Sequence, residues 1–115
     1  MGHNLIIGVV GPCASGKSTL IASLKERGYQ AKHIAQEHSY VPDMWRRLTN
    51  PDILVYLNVS YQVSLRRRFL NWTQPEYAQE IYRLRHARQY ADLYIDTDQL
   101  TPDQVLGQVL RLLQG

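Results

Sequence analysis

The stretch NLIIGVVGPCASGKST, residues 4–19, constrains this chain more than any other. A short apolar, β-branched run reaches Gly11 and is followed by Gly16, Lys17 and Ser18 in the spacing G-x-x-x-x-G-K-S. The apolar run reads as a buried strand over about residues 4–10. The residues after the loop read as a helix. Leu20, Ile21 and Leu24 share one helical face, Lys25 and Arg27 stand in its last turn, and Gly28 stops it. A strand apolar at nearly every position needs cover on both faces, so this opening already points to a sheet sandwiched between helices.

The rest of the chain keeps the same alternation. YQAKHIAQEHS holds a second strand centred on Lys32 to Gln36, and VPDMWRRL a short helix begun by Pro42. PDILVYLNVS is a further buried strand, Ile53 to Val59. Ser60 then caps a helix through about Leu70, and NWTQP breaks the chain. Pro75 opens a helix that ends around Tyr90, and DLYIDT is the last strand. In TPDQVLGQVLRLL, Thr101 is the cap, Pro102 takes the first helical position and Gln104 closes a capping box. Strands alternating with helices require parallel strands joined by crossover helices. The expected fold is a single α/β domain over residues 1–115, three layers deep. About four parallel strands in the spatial order 2-1-3-4 are expected, with a site at the carboxyl ends of strands 1 and 3.

Composition narrows the class. An apolar content of 44% argues against disorder, and no apolar run approaches the roughly 18 residues that span a bilayer. The N-terminal stretch lacks a basic region and a cleavage site, so no secretory signal is expected, and Ile6 stands where a myristoylation signal wants Ser or Thr. Cys13 is the one cysteine, which excludes an internal disulfide and points to a reducing cytoplasm. The net charge is only +3, but Arg66, Arg67, Arg68, Arg83, Arg85 and Arg88 crowd one segment against Glu76 and Glu80. Such a segment suits a phosphorylated small molecule, an acidic surface or nucleic acid; the other reading is a solvated helix face. No aromatic-and-basic RNA motif accompanies it, so nucleic acid is the weakest of the three.

A polyphosphate packs dense negative charge, and binding it requires many donors aimed at a small volume. A tight loop turns successive backbone N–H groups inward where glycines leave the approach clear. A helix beginning at about Lys17 points the positive end of its dipole at the same place. Lys17 adds a mobile charge for the β- and γ-phosphates, the Ser18 hydroxyl can ligate Mg2+, and Thr19 can reach the α-phosphate. Cys13 lies within the loop, where a helix N-terminus can lower a thiol's pKa; the other reading is a small residue at a variable position.

Three segments resemble the nucleoside and nucleotide kinase branch of the P-loop NTPases. GPCASGKST resembles the Walker A loop of adenylate-kinase-like enzymes. PDILVYLNVSYQVSLRRR is similar to the thymidylate-kinase-type strand and lid helix, and YADLYIDTDQLTPDQVLGQVL to the last strand and helix of cytidylate and dephospho-coenzyme-A kinases. The resemblance implies that the backbone of Cys13, Ala14, Ser15, Gly16, Lys17 and Ser18 holds the phosphates of ATP or another NTP. It implies that Ser18 holds Mg2+, that Arg67 is the lid arginine, and that Thr97 and Asp98 begin the loop along the adenine. A short lid is expected around residues 66–76. The chain departs from the pattern in having Asn58 where these kinases have Asp, and in leaving only residues 36–52 for an acceptor region and a further strand.

In these kinases the further strand carries a Walker B-type carboxylate; the expected replacement here is Glu37, the other reading being a surface loop carboxylate. If the second strand lies beside the first, its carboxyl end sets Glu37 near the metal, as ligand to a Mg2+-bound water or as general base. His38 is an alternative base and Asp43 a weaker one. Arg67, with Arg83 or Arg88 as partner, would act as an arginine finger supplied in cis. Trp45, Tyr40 and Trp72 would form a stacking surface. The expected function is ATP-dependent phosphoryl transfer to a small molecule, nucleoside- or nucleotide-like. The alternative is a nucleotide-binding module or weak NTPase that acts with a partner. No membrane is expected as partner, and a homodimer is compatible with the apolar edges of a small sheet.

Overall fold

A computed structural model describes residues 4–68 and 71–114, the side chain of Arg68 excepted. In chain order the elements are β1 (Ile6–Val10), α1 (Lys17–Glu26), β2 (Gln30–His33), α2 (Met44–Leu48), β3 (Ile53–Asn58), α3 (Tyr61–Arg68), α4 (Gln74–Arg83), α5 (Arg85–Tyr90), β4 (Leu93–Asp96) and α6 (Pro102–Gln114). Among the described residues the strands form one parallel sheet of four, ordered β2-β1-β3-β4, as expected.

The alternation of side chains along the two central strands builds both cores. Ile7 and Val9 of β1, with Val55 and Leu57 of β3, face Leu20, Ile21 and Leu24 of α1 and Val105, Leu106 and Val109 of α6. Val10, Leu54 and Tyr56 face the other way, against Trp45 of α2, Leu84 and Ala87 of α5, and Ile34. Both faces of β1 and β3 are therefore dry, which is why those strands read as continuous apolar runs. Ser60 and Thr101 act as read from the sequence. The Ser60 hydroxyl accepts from Val63 N at 3.3 Å, and Thr101 and Gln104 exchange hydrogen bonds of 2.8 and 3.2 Å. Among the described residues no helix is long and apolar enough to cross a membrane.

Three local expectations are corrected. β2 lies earlier than Lys32–Gln36, because Gln36 leaves the strand to fill a buried polar position. Its amide donates to Val41 O and Arg83 O and accepts from Trp45 N, which bends Gln36–His38 into a 3₁₀ turn. The helix expected from Pro75 to Tyr90 is two helices. It begins at Gln74 on a capping box between Thr73 and Glu76, and it breaks at Leu84. The break separates Glu80, which faces the Gly11–Gly16 loop, from Leu84 and Ala87, which sink into the second core. The stacking surface does not form. Trp45 is core and donates to His86 Nδ1, Tyr40 is exposed beneath the Arg83 guanidinium, and Trp72 is pinned by its indole N–H on Ser64 Oγ and its edge on Tyr77.

Candidate functional site

The site lies where the parallel strands end. Gly11 leaves β1 so close to β3 that a Cβ there would stand 2.1 Å from Leu57 O and 2.8 Å from Ser15 Oγ, so only glycine fits. Ala14 takes φ +70°, a left-handed conformation that costs a residue with a Cβ about 1–2 kcal/mol. Gly16 follows at φ +99°, with no atom within 4 Å of where its Cβ would be. The loop thus presents open backbone at the first turn of α1.

Lys17 folds back over this loop. Its ammonium donates to Gly11 O at 2.5 Å and Pro12 O at 3.1 Å, and stands 3.1 Å from Glu37 Oε2. Glu37 arrives from the 3₁₀ turn after β2, whose parallel pairing with β1 carries it to the loop. Its side chain is only 3% exposed, so it is no surface carboxylate. Arg83 supports it from behind by donating to Glu37 O at 3.3 Å. Two buried polar atoms here, Glu37 Oε1 and Ser15 Oγ, have no hydrogen-bond partner among the described residues.

On the opposite wall Arg67 reaches from α3. Its guanidinium donates to Ala14 O at 3.3 Å, to Thr97 Oγ1 at 2.8 Å and to Thr97 O. Thr97, one residue past β4, is itself tied to Asn58 O at 2.8 Å. A cavity of about 620 Å³ runs between the walls, and Cys13 through Thr19, Glu37, His38, Arg67 and Thr97 line it. Leu100, Pro102 and Val105 give it an apolar end beyond Thr97.

Several expected residues stand elsewhere. Asp98 is turned away from the cavity, accepting from Ser60 N at 2.8 Å at the start of α3. Arg88 lies over the Tyr94 ring, 4.8 Å from its centroid, and Asp43 pairs with Arg47 at 2.9 Å, which holds its carboxyl below the usual range. Of the lid expected around 66–76, residues 69 and 70 lie outside the described residues. The part beyond is anchored, because Trp72 O accepts from the Tyr61 hydroxyl at 2.8 Å.

Cys13 also differs from expectation. Burial, and then the Glu80 carboxylate beside it, push its thiol up to about 11 rather than down. Glu80 accepts from Cys13 N at 2.9 Å and from Cys13 Sγ at 3.2 Å, and is itself buried. Sequence reasoning missed its part in the site. The one available signal was that Glu76 and Glu80 are the only carboxylates in an arginine-rich stretch, and the Thr73–Glu76 capping pattern already accounts for Glu76. No protein-family model matches this chain, and a search of curated proteins returns no match to it.

Proposed function

We propose that the Gly11–Ser18 loop holds the phosphates of ATP or another nucleoside triphosphate, and that the chain transfers a phosphoryl group from it to a small molecule. In this reading the fold is a reduced P-loop sheet. The observation that carries it is the Lys17 ammonium, held by two loop carbonyls and a buried carboxylate at the floor of the cavity. All three of its donors are engaged, so an arriving phosphate oxygen finds a charge already aimed and exchanges with weaker neutral partners.

The residues present fit such a ligand. The backbone around Gly16 is unobstructed and opens α1, where free N–H groups and the helix dipole favour an anion. The unpaired Ser15 hydroxyl is one further donor in the loop. The apolar end at Leu100, Pro102 and Val105 suits a base. Ser18 and Glu37 offer the oxygen donors a hard cation prefers, and Glu37 Oε1 is free to accept. Bound Mg2+ would neutralise charge on the terminal phosphates. Glu37 would accept the acceptor's proton or orient its hydroxyl. Arg67 would trade its bond to Ala14 O for one to a phosphoryl oxygen while Thr97 keeps the guanidinium in place.

The test measures ATP turnover with Mg2+ and, in parallel, thermal stabilisation, for the wild type, Lys17→Ala and Glu37→Gln. We expect MgATP to raise the melting temperature of the wild type and of Glu37→Gln, not of Lys17→Ala, and turnover to be lost in both variants. Failure of ATP, GTP, CTP and UTP alike to stabilise the wild type would overturn the proposal. A second reading rests on the shortness of the acceptor side, where a 3₁₀ turn and the five-residue α2 are all that stand between β2 and β3. It makes the chain a nucleotide-binding module acting with a partner, and it predicts stabilisation through Lys17 without turnover.

A further inference from the structure

Cys13, His38 and Glu80 come from three separate segments: the loop after β1, the end of the turn after β2, and α4. One ligand atom from each lies within 4.8 Å of the other two. We propose that they form a binding site for a borderline-soft divalent cation, Zn2+ being the best fit, with a fourth coordination position open to the cavity. The proposal stands apart from the nucleotide reading, because its readout is the cation itself.

The spacing carries it. Zn–S, Zn–N and Zn–O bonds in a tetrahedral site separate the donor atoms by about 3.3–3.6 Å. Cys13 Sγ and Glu80 Oε2 already stand 3.2 Å apart. His38 Nδ1 is 4.0 Å from Glu80 Oε2, and its side chain is 59% exposed with no hydrogen bond among the described residues, so a small rotation brings it in. A second observation points the same way. The other imidazole nitrogen, Nε2, stands 3.8 Å from Glu37 Oε2, outside hydrogen-bond distance but on the side where a carboxylate can orient a metal-bound histidine once the ring turns. The donor set separates this cation from Mg2+, since a thiolate and an imidazole favour zinc while magnesium prefers oxygens.

Binding replaces the S–H bond by an S–Zn bond, and the thiol proton passes to solvent. Glu80 Oε2 changes from hydrogen-bond acceptor to ligand. Because Glu80 Oε1 also accepts from Cys13 N, the cation would staple the loop to α4 in its present shape.

The full chain, freed of metal, is titrated with Co2+ and monitored by thiolate-to-metal charge-transfer absorption, and Zn2+ is then added to displace it. We expect one Co2+ per chain with a thiolate band, displacement by Zn2+, and no effect of Mg2+. Cys13→Ser should remove the band, and His38→Ala and Glu80→Gln should each weaken binding at least about tenfold. His38→Ala alters an exposed side chain, so it keeps the test open if a buried variant fails to fold. In parallel, Zn2+ should slow iodoacetamide modification of Cys13 in the wild type, and His38→Ala should need at least about tenfold more Zn2+ for the same slowing. Absence of a thiolate band at saturating Co2+, unchanged affinity in His38→Ala, or a modification rate indifferent to Zn2+ would each sink the proposal.

Discussion

At the Lys17–Glu37 contact, opposite charges stand 3.1 Å apart with side chains 7% and 3% exposed. Taking both out of water is expensive, and their attraction roughly repays it only while both remain. Lys17→Met should therefore cost about 3–5 kcal/mol by stranding the carboxylate, whereas Lys17→Met with Glu37→Gln should recover most of the loss. Urea unfolding of the two single variants and the double variant measures the coupling, and additive losses would show that the pair is not a unit. Cys13 gives a pH dependence. Its thiol ionises near 9.0 in an unfolded chain and about 11 in the fold, so deprotonation favours the unfolded chain between those values. Its contribution is fully present below about pH 9 and declines as pH rises toward 11. Cys13→Ala should flatten that part of the stability profile. Glu80→Gln removes the second cause of the shift, and iodoacetamide should then modify Cys13 at lower pH than in the wild type.

At the scale of elements, α3, α4 and α6 each start on a side-chain cap, whereas α1 opens at Gly16 with none. α4 starts on the Thr73–Glu76 box and so holds Glu80 against the loop, and α6 starts on the Thr101–Gln104 box and lends Pro102 and Val105 to the apolar end of the cavity. Within α6, Gly107 is a position where a Cβ would meet nothing within 4 Å. Gly107→Ala should raise stability by about 0.5–1 kcal/mol through helix propensity alone. A denaturant midpoint that falls instead would mean that the α6 surface at Gly107 is closed by contacts the open space does not suggest. The 3₁₀ turn is the counterexample to local control. Nothing in QEH selects it; Gln36 is held there by Val41, Trp45 and Arg83, all from outside the turn.

Across the whole molecule, burial is graded from the middle of the sheet outward. Val9, Val10, Val55 and Leu57 are fully buried on the central strands. β2 exposes Gln30, Lys32 and His33, a polar border with one lysine that discourages pairing with another sheet. Amide hydrogen exchange should accordingly be slowest in β1 and β3, faster in β2 and β4, and fastest in the loops. If β2 proved as protected as β1, the sheet would be opening as one unit or its edge would be covered in solution by a second chain.

Order along the chain was legible without coordinates. The apolar runs at residues 4–10 and 53–59, the glycine spacing of the loop, and the caps at Ser60 and Thr101 express local rules, so strand order and the position of the loop could be read from them. Glu37 was reachable because its place depends only on which strand neighbours β1. The burial of Glu37, the turning away of Asp98 and Arg88, and the meeting of Cys13 with Glu80 were decided by tertiary structure. Most depend on partners far off in the chain: Glu37 on Arg83, Asp98 on Ser60, Cys13 on Glu80 of α4, while Arg88 meets Tyr94 nearby, across the turn into β4. Spacing along a sequence carries no record of such contacts, because they arise only when packing brings both ends together.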